Sequence, residues 1–228
     1  MKVFSVSKER IIAAAFCAVI AFSAGSRLRA ESLPVHASPA AKKVVVIDAG
    51  HGGFDPGKVA GSGAPEKDLN LSVALKLQRY LEQGGSTVIM TRVADEALDG
   101  RKAGDMRKRR EIANLSHADI IVSVHQNSFP SPNVSGAQVF YFSKSEASKR
   151  LAVMIQAELA PHAPKNRQAA SNSNYYILKK TDLPAVIVEC GFLSNQEDAR
   201  KLGTDEYQEK IAWGIYKGIL RYFEEGLV

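Results

Sequence analysis

Three runs of apolar residues stand out along the chain, and a polar or charged residue closes or directly follows each of them. They are Lys43–Asp48, Asp119–His125 and Ala185–Cys190. Continuous apolar runs of this length are typical of strands that are buried on both faces of a parallel sheet. Shorter apolar segments predict three further strands, at Ser86–Thr91, Ala137–Phe142 and Tyr175–Leu178.

Segments with helical spacing separate these strands. From Asp68 onward, apolar residues recur every four positions up to Leu81, which predicts an amphipathic helix that ends at Gly84. Further helices are predicted at Met106–His117, Ser145–Ala160 and Asp205–Glu225. The alternation of strands and helices predicts an α/β fold, a single domain with a mostly parallel, twisted sheet flanked by helices.

The amino-terminal segment has the pattern of an export signal. Lys2, Lys8 and Arg10 precede an apolar run from Ile11 to Gly25, as in the basic and apolar regions of a secretory leader. The run is shorter than the roughly 20 residues of a membrane-spanning helix. We therefore expect residues 1–30 to be a signal peptide or an uncleaved membrane anchor, 31–42 to be a tether, and 43–228 to be the folded domain of an exported protein.

The charge of the chain does not indicate a nucleic-acid-binding protein. Its net charge is +6, of which residues 1–30 carry +4, so that +2 remains for the rest. A nearly neutral body provides no large surface for phosphate groups. The basic run from Arg101 to Arg110 is interpreted as a solvated helix face, with contact to an anionic wall polymer or lipid as the alternative.

Candidate chemistry gathers at the ends of the predicted strands. His51 follows the first strand, His125 ends the third, and Glu189 lies near the end of the strand that begins at Ala185. Since ligands of open α/β sheets bind at the carboxyl ends of the strands, these groups are expected to lie together with Glu66, from the loop after the first strand. Two histidines and one carboxylate suit catalytic zinc, and a second carboxylate would move protons. The pattern alone does not say which glutamate has which role, and a lone histidine at a strand end is more often a simple polar cap than a metal ligand.

A near match to a phosphate-binding loop is rejected. The stretch Gly52–Val59 follows a strand and approximates the pattern GxxxxGK[ST]. However, Val59 occupies the position of the magnesium-binding hydroxyl, and Pro56 lacks a backbone donor. The predicted helix also begins too late in the chain for the loop to cap it.

Four segments together resemble the N-acetylmuramoyl-L-alanine amidases, a family of zinc hydrolases. They are Val-Val-Ile-Asp-Ala-Gly-His51-Gly-Gly with Asp55-Pro-Gly, Glu66-Lys-Asp-Leu-Asn-Leu, Ala118-Asp-Ile-Ile-Val-Ser-Val-His125-Gln-Asn-Ser, and Pro184-Ala-Val-Ile-Val-Glu189-Cys-Gly-Phe-Leu-Ser-Asn. The resemblance implies that His51, Glu66 and His125 hold Zn²⁺ and that Glu189 is the catalytic glutamate. It also implies that Arg109 is structural.

The resemblance implies a substrate and a location. The expected reaction is hydrolysis of the amide bond between N-acetylmuramic acid and L-alanine in peptidoglycan, by a catalytic domain at 43–228 outside the cytoplasmic membrane. The segments at 136–141 and 176–180 are similar to the sporulation and germination amidases of the CwlD type, which implies a role in spore cortex. Nothing between His125 and Glu189 looks like a long helical insert that would cover the site, so we expect control by expression, by localisation or by an accessory protein that completes the site. The alternatives are a zinc peptidase acting on stem peptides, a non-catalytic wall-binding module and an amidase of vegetative cell separation.

Overall fold

The computed structural model describes residues 38–61, 63–164 and 167–226. The predicted leader, residues 1–30, and most of the predicted tether lie outside the described residues. Within the described part, no helix is both long enough and apolar enough to cross a membrane.

The strands form one twisted sheet whose centre consists of the apolar runs. The strands are β1 (Val44–Ala49), β2 (Thr87–Met90), β3 (Ile120–Asn127), β4 (Gln138–Tyr141), β5 (Ala170–Ser171) and β6 (Ala185–Phe192). Their order is β2-β1-β3-β6-β4-β5. All neighbours are parallel except β4 and β6, which are antiparallel, so the predicted fold class is confirmed.

Helices cover both faces of this sheet. They are α1 (Glu66–Gln83), α2 (Lys102–Leu115), α3 (Glu146–Glu158), α4 (Tyr176–Lys180), α5 (Gln196–Leu202) and α6 (Asp205–Glu225), with a 3₁₀ turn at Ala160–His162. Alternate residues of β1 show the two layers. Val45 and Ile47 pack in the larger apolar cluster with α1, α3 and α6, whereas Val46 packs in the smaller cluster with residues of α2 and α4.

Several element boundaries differ from the sequence predictions. The prediction of a strand at Tyr175–Leu178 is wrong, because residues 176–180 form the short helix α4. Ile177 and Leu178 are both buried in the same cluster, which adjacent residues of a strand, pointing to opposite faces, would not achieve. Glu66 is the first residue of α1 and does not lie in the preceding loop, and β3 continues two residues past His125.

Candidate functional site

His51 follows β1 in an unusual backbone conformation. Its φ angle is 60°, in the left-handed region, and its carbonyl oxygen accepts a hydrogen bond of 2.6 Å from Nη2 of Arg109. The imidazole Nδ1 lies 2.9 Å from Oδ2 of Asp55, and Nε2 lies 3.2 Å from Oε1 of Glu66. Asp55 therefore holds one ring nitrogen of His51 and leaves the other facing Glu66.

Glu66 occupies the first turn of α1 with its carboxylate buried. Its backbone N–H donates to the carbonyl of Lys58, and its Oε2 accepts from the backbone N–H of Lys58 at 2.9 Å. Its Oε1 lies 2.9 Å from Nδ1 of His125 and also accepts from the backbone N–H of Gln126 and the side chain of Asn70. An acidic side chain in a first helical turn also interacts favourably with the helix dipole.

His125 is delivered by the central strand β3. Gly50, the residue that follows β1, leaves room for the imidazole ring, since a Cβ atom at that position would lie 2.2 Å from the ring atoms Cε1 and Nε2 of His125. The ring centroids of His51 and His125 are 5.0 Å apart. Glycine at position 50 is therefore required by the close packing of backbone against ring.

His51, Glu66 and His125 form a group that could hold a metal ion. One ligand atom from each lies within 4.8 Å of the other two. The distances from the Glu66 carboxylate to the two imidazoles, 2.9 and 3.2 Å, are close to the separation of roughly 3.3 Å between ligands in a tetrahedral site with bonds of about 2.0 Å. Two imidazole nitrogens and one carboxylate oxygen also fit the donor set of a catalytic zinc site.

The electrostatics of this group favour a positive charge at its centre. Burial alone would raise the pKa of Glu66, but hydrogen bonds from His125 and His51 lower it far below its usual range. Burial opposes protonation of His125, yet the bond to Glu66 and the surrounding negative charges raise its pKa overall. A cation bound between the rings would satisfy the same demand.

Glu189 lies in β6 beside His125 of β3 and lines the same pocket. Burial raises its pKa to about 7, and the charge of Glu66 adds to this, while a positive charge on His125 and a hydrogen bond from Tyr175 oppose it. The Tyr175 hydroxyl donates to Oε1 at 3.3 Å, and among the described residues Oε2 has no hydrogen-bond partner. A buried carboxyl with a free oxygen and a pKa near neutrality is suited to accept and return a proton.

Arg109 and Asp48 form a buried ion pair that supports the backbone around His51. Asp48, at the end of β1, is 2% exposed and lies 2.8 Å from Nη1 of Arg109, and it accepts further bonds from Thr91 and Ser123. Arg109 also bonds to Asp105 at 2.6 Å. The structural role predicted for Arg109 agrees with these contacts.

All four residues singled out from the sequence line one pocket of about 380 Å³. Asp55 and Tyr175 also line this pocket, although no role was predicted for either of them from the sequence. The sequence does contain a signal for Asp55, since a carboxylate four residues after His51 in a Gly/Pro-rich turn can reach the imidazole ring. Tyr175 has no such sequence signal, because its segment has the pattern of a strand.

Comparisons with known proteins agree with this geometry. The family model described as N-acetylmuramoyl-L-alanine amidase matches residues 45–221. The germination-specific N-acetylmuramoyl-L-alanine amidase of Bacillus subtilis is 41% identical over 196 residues, which cover 82% of each chain.

Solved structures give the same result. The CwlD amidase of Clostridioides difficile, in complex with the GerS lipoprotein, superposes with a TM-score of 0.77 and 38% identity, over 81% of this chain and 100% of that one. The catalytic domain of CwlV, an amidase from Bacillus (Paenibacillus) polymyxa, superposes with a TM-score of 0.71 and 34% identity, over 80% of this chain and 98% of that one. The chain therefore belongs to the N-acetylmuramoyl-L-alanine amidase family of enzymes.

Proposed function

We propose that this protein is a zinc-dependent amidase that hydrolyses the bond between N-acetylmuramic acid and L-alanine in peptidoglycan, with residues 43–228 as its catalytic domain. The observation that carries the proposal is the convergence of His51, Glu66 and His125 beside the buried carboxyl of Glu189. The first three residues would hold zinc. When bound, zinc supplies a Lewis acid that polarises the amide carbonyl and makes water more acidic.

The chain itself contributes proton transfer. Glu189 takes a proton from the water that attacks the lactyl carbonyl carbon, and later gives it to the departing nitrogen of L-alanine. The carbon–oxygen bond forms first, and the carbon–nitrogen bond breaks when the nitrogen receives its proton, which leaves a free lactyl carboxyl and a free peptide amine. Tyr175, by donating to Oε1, orients the carboxylate so that Oε2 faces the reacting atoms.

The test separates binding from catalysis. Purified protein is incubated with zinc and intact peptidoglycan, and the products are identified by mass. His125→Ala should lose bound zinc and activity, whereas Glu189→Gln should keep zinc and lose on the order of 10²–10⁴ in rate. His162→Ala, with a histidine that does not line the pocket, serves as the control.

Other outcomes would identify other functions. Release of amino acids from stem peptides with an intact lactyl amide would indicate a zinc peptidase. Binding to the wall without cleavage would indicate a wall-binding module. Full activity of Glu189→Gln would show that the catalytic assignment is wrong.

The proposed setting is spore cortex, on the outer side of the cytoplasmic membrane. It is supported by the similarity to a germination-specific amidase and to CwlD. Removal of the stem peptide exposes the lactyl carboxyl, which an internal lactam with the sugar's own amine requires. Since CwlD of C. difficile is found in complex with a lipoprotein, we also propose that an accessory protein acts with this chain, and that its amino-terminal segment directs it to the membrane or beyond.

Deletion distinguishes the cortex role from cell separation. If the source organism forms spores, loss of the protein should give cortex without muramic lactam, incomplete germination and normal division. Chained cells with normal cortex would instead support a vegetative amidase.

A further inference from the structure

Most of the charges that line the pocket are separated by depth, and the exception is the buried Arg109, which is paired with Asp48 and Asp105. The carboxylates of Asp48, Glu66 and Glu189 are each no more than 5% exposed and form its floor. Two lysines, Lys58 and Lys102, line the same pocket but are exposed at its rim, with the Lys102 side chain 67% accessible. A ligand entering the pocket therefore meets the two lysines, of which Lys102 is paired with the partly exposed Asp55, before it reaches the buried carboxylates.

Lys58 is held in place by the candidate metal ligand itself. Its backbone carbonyl accepts from the N–H of Glu66 at 2.8 Å, and its own N–H donates to Oε2 of Glu66 at 2.9 Å. The backbone is thus fixed on both sides while the side chain extends to solvent. Among the described residues, its ammonium group makes no hydrogen bond or ion pair.

Lys102 lies on the same side of the site. Its Nζ atom is 3.1 Å from Oδ2 of Asp55, which in turn lies 2.9 Å from Nδ1 of His51. Since Asp55 already neutralises part of its charge, Lys102 contributes less attraction than Lys58. Lys58 thus bonds directly to Glu66 through its backbone, and Lys102 is linked to His51 through Asp55.

The substrate carries its negative charge on one side of the reacting bond. The muramic acid side is an uncharged sugar linked through an amide, whereas the stem peptide contains free carboxylates. A cationic rim next to the reacting centre is complementary only to the peptide side.

We propose that Lys58, assisted by Lys102, forms a subsite that binds a free carboxylate of the stem peptide. The inference rests on the proposed amidase function and adds to it which part of the substrate is recognised. It also assigns a role to a residue of the loop between β1 and α1 for which the reaction chemistry itself has no use.

Two muramoyl peptides test this subsite. They have the same length and differ only at the second residue, whose α-carboxyl group is free in one substrate and converted to a carboxamide in the other. Wild-type protein should prefer the carboxylate by about 2- to 5-fold in kcat/KM, the effect of one exposed charge pair. The preference should lie in KM and not in kcat, since the contact is present in both ground and transition states.

Variants of Lys58 give the decisive comparison. Lys58→Gln should abolish the preference and Lys58→Glu should reverse it, with zinc content and melting temperature unchanged. Lys144→Gln is the matched control, because Lys144 is exposed but lies beyond the end of β4 that is remote from Glu189. Added salt should weaken the wild-type preference.

The failures of the two proposals are distinguishable. Equal cleavage of both substrates by the wild type, or an unchanged preference in Lys58→Gln, would overturn the subsite and leave the amidase intact. If the wild type cleaves neither substrate at the lactyl amide, the amidase proposal fails and the subsite fails with it.

Discussion

Replacement of Arg109 by methionine should test how strongly the site depends on its buried support. Arg109 is 1% exposed and bonds to the carboxylates of Asp48 and Asp105 at 2.8 and 2.6 Å. It also donates to the backbone carbonyls of Ala49 and His51. Methionine keeps much of the apolar stem but provides no donor, so two carboxylates and two carbonyls each lose one hydrogen-bond donor, and both carboxylates lose their cationic partner.

The expected loss of stability is large. Removal of one partner from a buried ion pair typically costs about 3–5 kcal/mol, because a charge stays buried without compensation. The ion pair with Asp48 accounts for part of this loss in the free energy of unfolding. Although burial alone raises its pKa, the charge of Arg109 and the hydrogen bond from Ser123 lower it from 3.8 to about 2. At 1.36 kcal/mol for each unit, that shift corresponds to about 2 kcal/mol.

The pH dependence provides a signature of this mechanism. A depressed carboxyl pKa stabilises the folded state above the unfolded pKa of 3.8, and this stabilisation is lost as the pH falls towards about 2. In Arg109→Met the pKa of Asp48 is no longer lowered by the guanidinium. The gap in free energy of unfolding between wild type and variant should therefore narrow as the pH falls through this range.

Urea unfolding of the wild type and the variant at neutral and acidic pH measures both the loss in free energy of unfolding and its dependence on pH. Arg79→Met is the control, since Arg79 pairs with Glu209 at 2.6 Å on the surface, where its loss should leave the free energy of unfolding close to that of the wild type. Zinc affinity should also fall in Arg109→Met, because the carbonyl of His51 loses its donor. A variant within 1 kcal/mol of the wild type, roughly the value of an exposed pair, or a gap that stays constant with pH, would refute the reasoning.

Three further predictions concern the site itself. Asp55→Ala should weaken zinc binding about 10- to 100-fold, measured by chelator competition, because Nδ1 of His51 loses the carboxylate that orients the ring; unchanged affinity would contradict this. Gly50→Ala should prevent stoichiometric zinc binding, since the new Cβ atom would occupy the space of the His125 ring, and a variant with one zinc per chain would show that the ring can move aside. Finally, kcat/KM should fall as the pH drops below about 7, because protonated Glu189 cannot accept a proton, with the charge of a bound metal shifting the midpoint downward; a flat profile between about pH 5 and 8 would exclude this carboxyl as the base.

The centre of the fold could be predicted because its sequence pattern has a single structural solution. The apolar runs of β1, β3 and β6 are buried on both faces, as is typical of the central strands of a sheet that helices cover on both sides. The four-residue spacing from Leu69 to Leu81 likewise fixed the buried face of α1. Because strand ends meet at one edge of such a sheet, the sequence also predicted that His51 and His125 lie close together, and their ring centroids are 5.0 Å apart.

The periphery could not be predicted in the same way. The segment Tyr175–Leu178 has the apolar, aromatic composition of a strand, and so short a run does not distinguish a strand from a helix. Its helical form depends on the cluster beneath it, which no local pattern reveals. By contrast, the start of α5 has a local sequence signal in Asn195, whose side chain accepts a hydrogen bond from the backbone N–H of Asp198 as an N-cap.

The position of Glu189 also depends on distant pairing. It is the residue opposite His125 only because β6, although last among the described strands, inserts between β3 and β4. Sequence order does not specify such an insertion, so the resemblance to known amidases, and not the pattern, distinguished its role from that of Glu66.

That insertion has a consequence for the growing polypeptide. Until β6 has been synthesised and has paired, β4 and β5 have no connection to β1, β2 and β3 within the sheet. A nascent or truncated chain ending before residue 185 contains His51, Glu66 and His125 but lacks both Glu189, the proposed proton acceptor, and the strand that joins the two halves of the sheet. If Glu189 has the proposed role, pairing of β6 both completes the sheet and supplies the proton acceptor, so an incompletely synthesised copy would be unable to hydrolyse peptidoglycan.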